Sequence, residues 1–348
     1  AVGLFHHQGC SQLPPDLKRV TDTLIGLALN PNVGAVLIVS LGCEGTDYAR
    51  MFQEIQAAGK PVEIIGIQKL GGVSKAIAAG IDAAAGLVRK ISGQQREEAD
   101  LSEVVLSIKC GASDATSGMA SNCALGYAAD KLVSLGGTVI FGETTEFIGA
   151  EHILMRRAVN QEVADRIGFI VNWMETRAKS LGCDMRKGQP TPGNIEGGLS
   201  SIEEKSLGAI LKSGTSPIQG VMEYPERVRT SEEIKKGLWI KDTPGREPEI
   251  PISCSGAQIM MFSTGRGAPQ GYPIMPVVKV CGNPVTYQHM EQDMDINAGL
   301  ILEGRKSIEQ VGEEVFAKLV DTLNGEVSKN ESLHYYSAIE IHTLGPVI

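Results

Sequence analysis

The sequence predicts an α/β protein: a doubly wound, mostly parallel sheet with a second, smaller α/β domain. Three observations predict it. Strand-like runs alternate with helix-length segments five times in the first half of the chain. The Gly34–Leu41 run (GAVLIVSL) is continuously apolar and β-branched, as in a parallel strand covered on both faces. The strand-like runs also leave through short turns rich in glycine and polar residues.

Taken in order, Ala1–Phe5 reads as a strand that exits through His6-His7-Gln8-Gly9-Cys10. Pro14 and Pro15 open a helix that runs to about Leu29, and Asn30-Pro31-Asn32 turns the chain. Gly34–Leu41 is the second strand, with exit Gly42-Cys43-Glu44-Gly45, and a helix follows to near Gly59. Val62–Ile67 is the third strand. Ser74–Ile91 is a helix rich in Ala and Ile, apolar on most sides, so burial is expected. Leu101–Ile108 is the fourth strand, and Gly137–Phe141 the fifth, leaving through Gly142-Glu143-Thr144-Thr145-Glu146. Helices continue to about Leu181. A Gly- and Pro-rich connection, Cys183–Leu199, then separates residues 1–185 from a second α/β domain, 186–348. That domain carries a helix at Ser201–Lys212, strands at Gly256–Ser263 and Pro276–Val280, and a helix at Ser307–Leu323.

The stretch Ser107–Asn122 (SIKCGASDATSGMASN) organises this reading. A strand feeds a glycine-rich polar turn and then a helix, which places Cys110, Ser113, Asp114 and Asn122 at the carboxyl edge of a sheet. An ordinary N-cap turn, with Ser113 or Thr116 as cap, is the plainer alternative. In one parallel sheet all strand exits share an edge. His6, Cys10, Cys43, Glu44, Cys110, Asp114, Glu143 and Glu146 are therefore expected together.

Two metal arrangements stay open. Cys10, Cys43 and Cys110 supply three thiolates, enough for an iron–sulfur cluster with one open position. His6, Glu44, Glu143 and Glu146 form an N/O set suited to Fe(II), Mn(II) or Mg(II). Plain readings stand beside both: packed thiols, and carboxylates favoured by helix N-termini. Arg266, in the tight turn Thr264–Pro269, and Lys279, in an apolar strand, suit a substrate carboxylate or structural ion pairs.

The totals narrow the classes. A net charge of −9 argues against a nucleic-acid surface. No apolar run reaches membrane-spanning length and no signal peptide opens the chain, so a cytoplasmic protein is expected. Seven cysteines, an odd number far apart, fit reduced thiols. The start at Ala1 without Met, in an apolar run, points to processing or a partial chain. There is no Walker A sequence, no GxGxxG after a strand and no GxSxG elbow.

Several stretches together resemble the altronate/galactarate dehydratase family, in its large catalytic portion. They are HHQGC (6–10), NPNVGAVLIVSLGCE (30–44), KCGASD (109–114), GETTE (142–146) and EHILMRRAV (151–159). PTPGNIEGGLSSIEEKSLG (190–208), FSTGRGAPQG (262–271) and MDINAG (294–299) extend the likeness over nearly the whole chain. His7 and Lys109 stand where the sugar-acid members carry other residues. The resemblance implies iron-dependent β-elimination from a 2-hydroxy sugar acid such as altronate or galactarate. It also implies an added small N-terminal domain or subunit, and a homo-oligomer is expected. Under it, His6, Asp114, Glu143 and Glu146 are catalytic candidates, and Ser113, Asn122, Arg266 and Lys279 bind substrate. Cys10, Cys43, Glu44 and Cys110 are the metal candidates, with Mn2+ or Mg2+ as alternatives to iron. The large subunit of sulfolactate sulfo-lyase is similar too, so sulfite release is a second reading, and a non-catalytic metal-binding or assembly subunit a third.

Overall fold

A computed structural model describes residues 1–228, 236–245, 255–336 and 339–346. Two prolines at the first turn start α1 (Pro14–Ala28), where a missing N–H costs nothing. Then come β1 (Val36–Ser40), α2 (Tyr48–Ala57) capped by Asp47, β2 (Val62–Gly66), the single turn α3 (Ile67–Leu70) and α4 (Val73–Ile91). β3 (Val105–Cys110), α5 (Asn122–Ser134) and β4 (Thr138–Phe141) follow. Helices α6 (Glu151–Arg156), α7 (Gln161–Ser180), α8 (Met185–Gly188), α9 (Pro192–Glu196) and α10 (Ile202–Ile210) come next. The last part holds β5 (Ile218–Met222), β6 (Gly237–Lys241), β7 (Ile259–Thr264), β8 (Val277–Cys281), α11 (Pro284–His289), β9 (Ile296–Asn297) and α12 (Ile308–Leu323).

The α/β class is as expected, with a large parallel sheet and a smaller α/β region, which is N-terminal. Among the described residues, seven strands form the large sheet in the order β5-β6-β4-β3-β7-β8-β9, every pairing parallel. Successive residues of β3 enter opposite cores, as the two-residue period of a strand requires. Leu106 and Ile108 pack with α5, α7 and α12 on one face, through residues such as Leu125, Ile167 and Val315. Val105 joins Phe262, Tyr272 and Met275 on the other face, together with Leu27 of α1. Covered on both sides, the central strands need the unbroken apolar runs that the sequence carries.

Four expectations are corrected. The first five residues form no strand: Leu4 packs under the large sheet while Phe5 is exposed. Among the described residues, β1 and β2 pair only with each other, in a separate sheet of two strands, and the edges of the large sheet are β5 and β9. The division expected at residue 185 runs through the large sheet, which takes β3 and β4 from before it and β5–β9 from after it. Finally, α4 is not buried. It packs on β1 and β2, which offer one narrow surface. Ala76 and Leu87 are its buried residues, while Val73, Ile77, Ile81 and Val88 stand exposed.

Candidate active site

The exits of β3 and β4 build a buried charged cluster. Lys109 and Cys110 end β3 and point to opposite faces. Glu143, just past β4, lies at φ 72°, a left-handed conformation that strains any residue with a Cβ. Its N–H donates to Thr243 Oγ1 at 2.7 Å, tying the turn to the exit of β6. So placed, Glu143 Oε1 accepts from Lys109 Nζ at 2.6 Å, and Oε2 accepts from Lys212 Nζ at 2.8 Å and from the Cys110 N–H at 2.9 Å. Lys212 Nζ also donates to Glu146 Oε2 at 2.8 Å, and Lys205 Nζ lies 3.8 Å from Glu146 Oε1. Lys109, Glu143 and Lys212 are each at most 2% exposed.

Opposite charges set the protonation states. Burial pushes the Glu143 carboxyl up, but Lys109 and Lys212 outweigh it and hold it at about 2. Burial pulls both lysines down, and the carboxylates more than reverse that, so both stay charged. Burial and then Glu146 push the Cys110 thiol up to about 11, so it is a protonated thiol at neutral pH.

A cavity of about 420 Å3 opens beside the cluster, a size that suits a small molecule. Cys110, Ser113, Asp114, Asn122, Glu204 and Lys205 line it. Asn122 anchors its wall, its Nδ2 donating to Gly208 O at 2.9 Å. Asp114 is a junction. Its Oδ1 accepts from Thr116 Oγ1 at 2.6 Å and the Ser117 N–H at 2.9 Å, and its Oδ2 accepts from Asn283 Nδ2 at 3.1 Å. The α9 loop closes on the same turn, where Asn194 Nδ2 donates to Ser113 O at 2.8 Å.

The expected gathering of eight ligands divides in two. Cys110, Asp114, Glu143 and Glu146 come together at the large sheet, joined there by Ser113 and Asn122. His6, Cys10, Cys43 and Glu44 belong to the N-terminal region, because β1 exits from its own sheet. There the Gly45 N–H donates to Gly9 O at 3.0 Å, joining the two cysteine loops, and Cys10 and Cys43 are exposed. His6 and Glu44 line a second cavity of about 440 Å3 along β1. Burial, then His7, lowers the His6 imidazole, and its Nδ1 is buried without a partner.

Neither expected iron set assembles. Among the described residues, no three His, Cys, Asp or Glu side chains converge on a point where they could hold a metal ion. Glu143 and Glu146 are engaged by lysines, and Cys110 would have to deprotonate against its burial. Arg266 is not among the residues that line the cavity and pairs with Glu196 at 2.7 Å. Lys279 faces the other side of the sheet, its ammonium 4.0 Å from the Phe262 ring centroid, and does not reach the cavity. Lys205 and Lys212 escaped the sequence reading. Their signal was spacing: they lie seven residues apart, on one helical stripe with the buried Ala209.

Comparison with known proteins places this geometry. Residues 1–92 match the model of the D-galactarate dehydratase/altronate hydrolase second domain. Residues 101–346 match that of the D-galactarate/altronate dehydratase C-terminal domain. The two matches divide where the chain passes from the small sheet to the large one. The chain is 37% identical over 338 residues to the β subunit of (2R)-sulfolactate sulfo-lyase from Chromohalobacter salexigens, covering 95% of this chain and 84% of that protein. It is 35% identical to altronate dehydratase from Bacillus subtilis, over 94% of this chain and 65% of that one. It is 36% identical to galactarate dehydratase (L-threo-forming) from Escherichia coli, over 87% and 59%. The chain thus spans less than two thirds of either dehydratase. With models matched on both sides of residues 92–101 and relatives this similar over most of its length, the chain belongs to the D-galactarate/altronate dehydratase family.

Proposed function

We propose that this chain is a lyase that eliminates a β-substituent from a 2-hydroxy acid, with a sugar acid such as altronate or galactarate as substrate. The observation that carries the reading is the strained, buried Glu143 clamped between Lys109 and Lys212 beside a cavity of small-molecule size. Removing the proton α to a carboxylate creates an enediolate dianion. Ammonium groups fixed in advance, away from water, stabilise such charge without reorganising. Lys212 supplies that field.

The two carboxylates take different parts. Glu143 is saturated by three donors and holds the lysines in place. Glu146 keeps Oε1 lightly engaged, by Lys205 at 3.8 Å, and takes the α-proton. Glu146 returns that proton to the departing β-hydroxyl, which leaves as water, and the enol product tautomerises to a 2-keto-3-deoxy acid. Iron does not fit the described residues as they stand.

Sulfite release is the second reading, favoured by the 84% of the sulfo-lyase subunit that the chain spans. Under either reading the chain works as a homo-oligomer in the cytoplasm, where exposed Cys10 and Cys43 stay reduced, and it uses a small domain or subunit as partner. No helix among the described residues is long and apolar enough to cross a membrane. The test is product analysis with altronate, galactarate and sulfolactate. A 2-keto acid from a sugar acid supports the first reading, sulfite the second, and neither product sinks both.

A further inference from the structure

We infer that Asn122 is a specificity residue whose Oδ1 accepts a hydrogen bond from a ligand hydroxyl in the cavity at the start of α5. This deepens the lyase reading and rests on it for the choice of a hydroxylated acid as ligand. The fold leaves one acceptor of this cavity unused. Asn122 opens α5, lines the cavity and is 1% exposed. Its Nδ2 donates to Gly208 O at 2.9 Å. A carbonyl only accepts, so that bond fixes which end of the amide is nitrogen. The other end, Oδ1, is buried and has no hydrogen-bond partner among the described residues. An unpaired buried acceptor is costly, and folded proteins rarely keep one without a use for it.

The lining decides what kind of donor fits. Two carboxylates, Asp114 and Glu204, stand against one ammonium, Lys205, so no excess of positive charge selects an anion here. Both carboxylates are engaged within the fold. Asp114 is taken by Thr116, Ser117 and Asn283, and Glu204 by the N–H and hydroxyl of Ser200. The Asn122 amide oxygen is neutral, and a neutral O–H pairs with it without moving charge into a partly enclosed space. On a sugar acid at neutral pH the carboxylate has no proton to give, and the hydroxyls do. An analogue without the hydroxyl leaves the buried acceptor unpaired, so a site of this kind discriminates against it.

Isothermal titration calorimetry tests this on the whole chain. Altronate is compared with hexanoate and galactarate with adipate, each pair sharing its carbon chain and carboxylates and differing in the hydroxyls. Wild type is expected to prefer a hydroxylated acid by at least about tenfold. Asn122→Leu, close in size, is expected to lose that preference while its affinity for hexanoate and adipate stays within about threefold. A loss of fold would weaken all four ligands together. Where circular dichroism shows Asn122→Leu unfolded, Asn122→Ala is read in the same way. No preference in wild type, or a preference kept in the folded variant, would overturn the inference. A kept preference with normal turnover would leave the lyase reading standing. A preference lost in the variant, with no turnover by wild type, would support the site and sink the lyase reading alone.

Discussion

Glu143 and Lys212 meet at 2.8 Å at the carboxyl edge of the large sheet, one at the exit of β4 and the other just past α10. They are 69 residues apart in sequence, and both are buried. An uncompensated charge there would be costly, so each depends on the other. Breaking such a pair by removing one partner typically costs about 3–5 kcal/mol. Glu143→Gln leaves two lysines short of a carboxylate and is expected to destabilise the protein by that amount, read from urea denaturation. A midpoint within error of wild type would remove the pair from the structural account.

The same carboxylate sets an acid limit. Its folded pKa of about 2 lies below the usual 4.5. A depressed pKa contributes stability that is fully present above about 4.5 and is lost as pH falls toward 2. Thermal melts between pH 6 and pH 3 should therefore fall more steeply for wild type than for Glu143→Gln. Parallel curves would contradict the assignment.

Asp114 makes a packing prediction. A Cβ placed on Gly265 would lie 1.8 Å from Asp114 Oδ1, far inside contact distance. Gly265→Ala must push the β7 exit off the β3 turn, and a melting temperature lowered by several degrees is expected. An unchanged melt would mean that the two exits are not locked together.

The thiols should separate by environment. Cys110 is buried with its pKa at about 11, whereas Cys10 and Cys43 are exposed. Brief maleimide labelling at pH 7.5, mapped by mass spectrometry, should modify Cys10 and Cys43 and spare Cys110. Rapid labelling of Cys110 would contradict its burial. Cys110→Ser should likewise leave the iron content of purified protein unchanged.

Much of the fold was legible because parallel strands covered on both faces read as unbroken apolar runs, as in Val105–Cys110. The turn from Cys110 to Asn122 was legible too, since a strand, a small-residue turn and a helix lie side by side in sequence. What the pattern could not carry was which runs share a sheet. Val36–Ser40 looks like Val105–Cys110, yet the first pairs with β2 in the small sheet and the second with β4 and β7 in the large one. The separation of Cys10 and Cys43 from Cys110 follows from that one fact. Lys212 stayed hidden for a different reason. A lysine at the end of an ordinary helix looks solvated until the fold brings Glu143 and Glu146 onto it.

The most direct test of the central claim is turnover of altronate, galactarate and sulfolactate in D2O by wild type, Glu146→Gln and Lys212→Met. Products are read by mass spectrometry, and folding is checked by circular dichroism. The account predicts a 2-keto acid or sulfite from wild type. It predicts a rate reduced at least a thousandfold in both folded variants, with no deuterium entering the α position of remaining substrate in Glu146→Gln. Product formed by the two variants at near wild-type rates would contradict it.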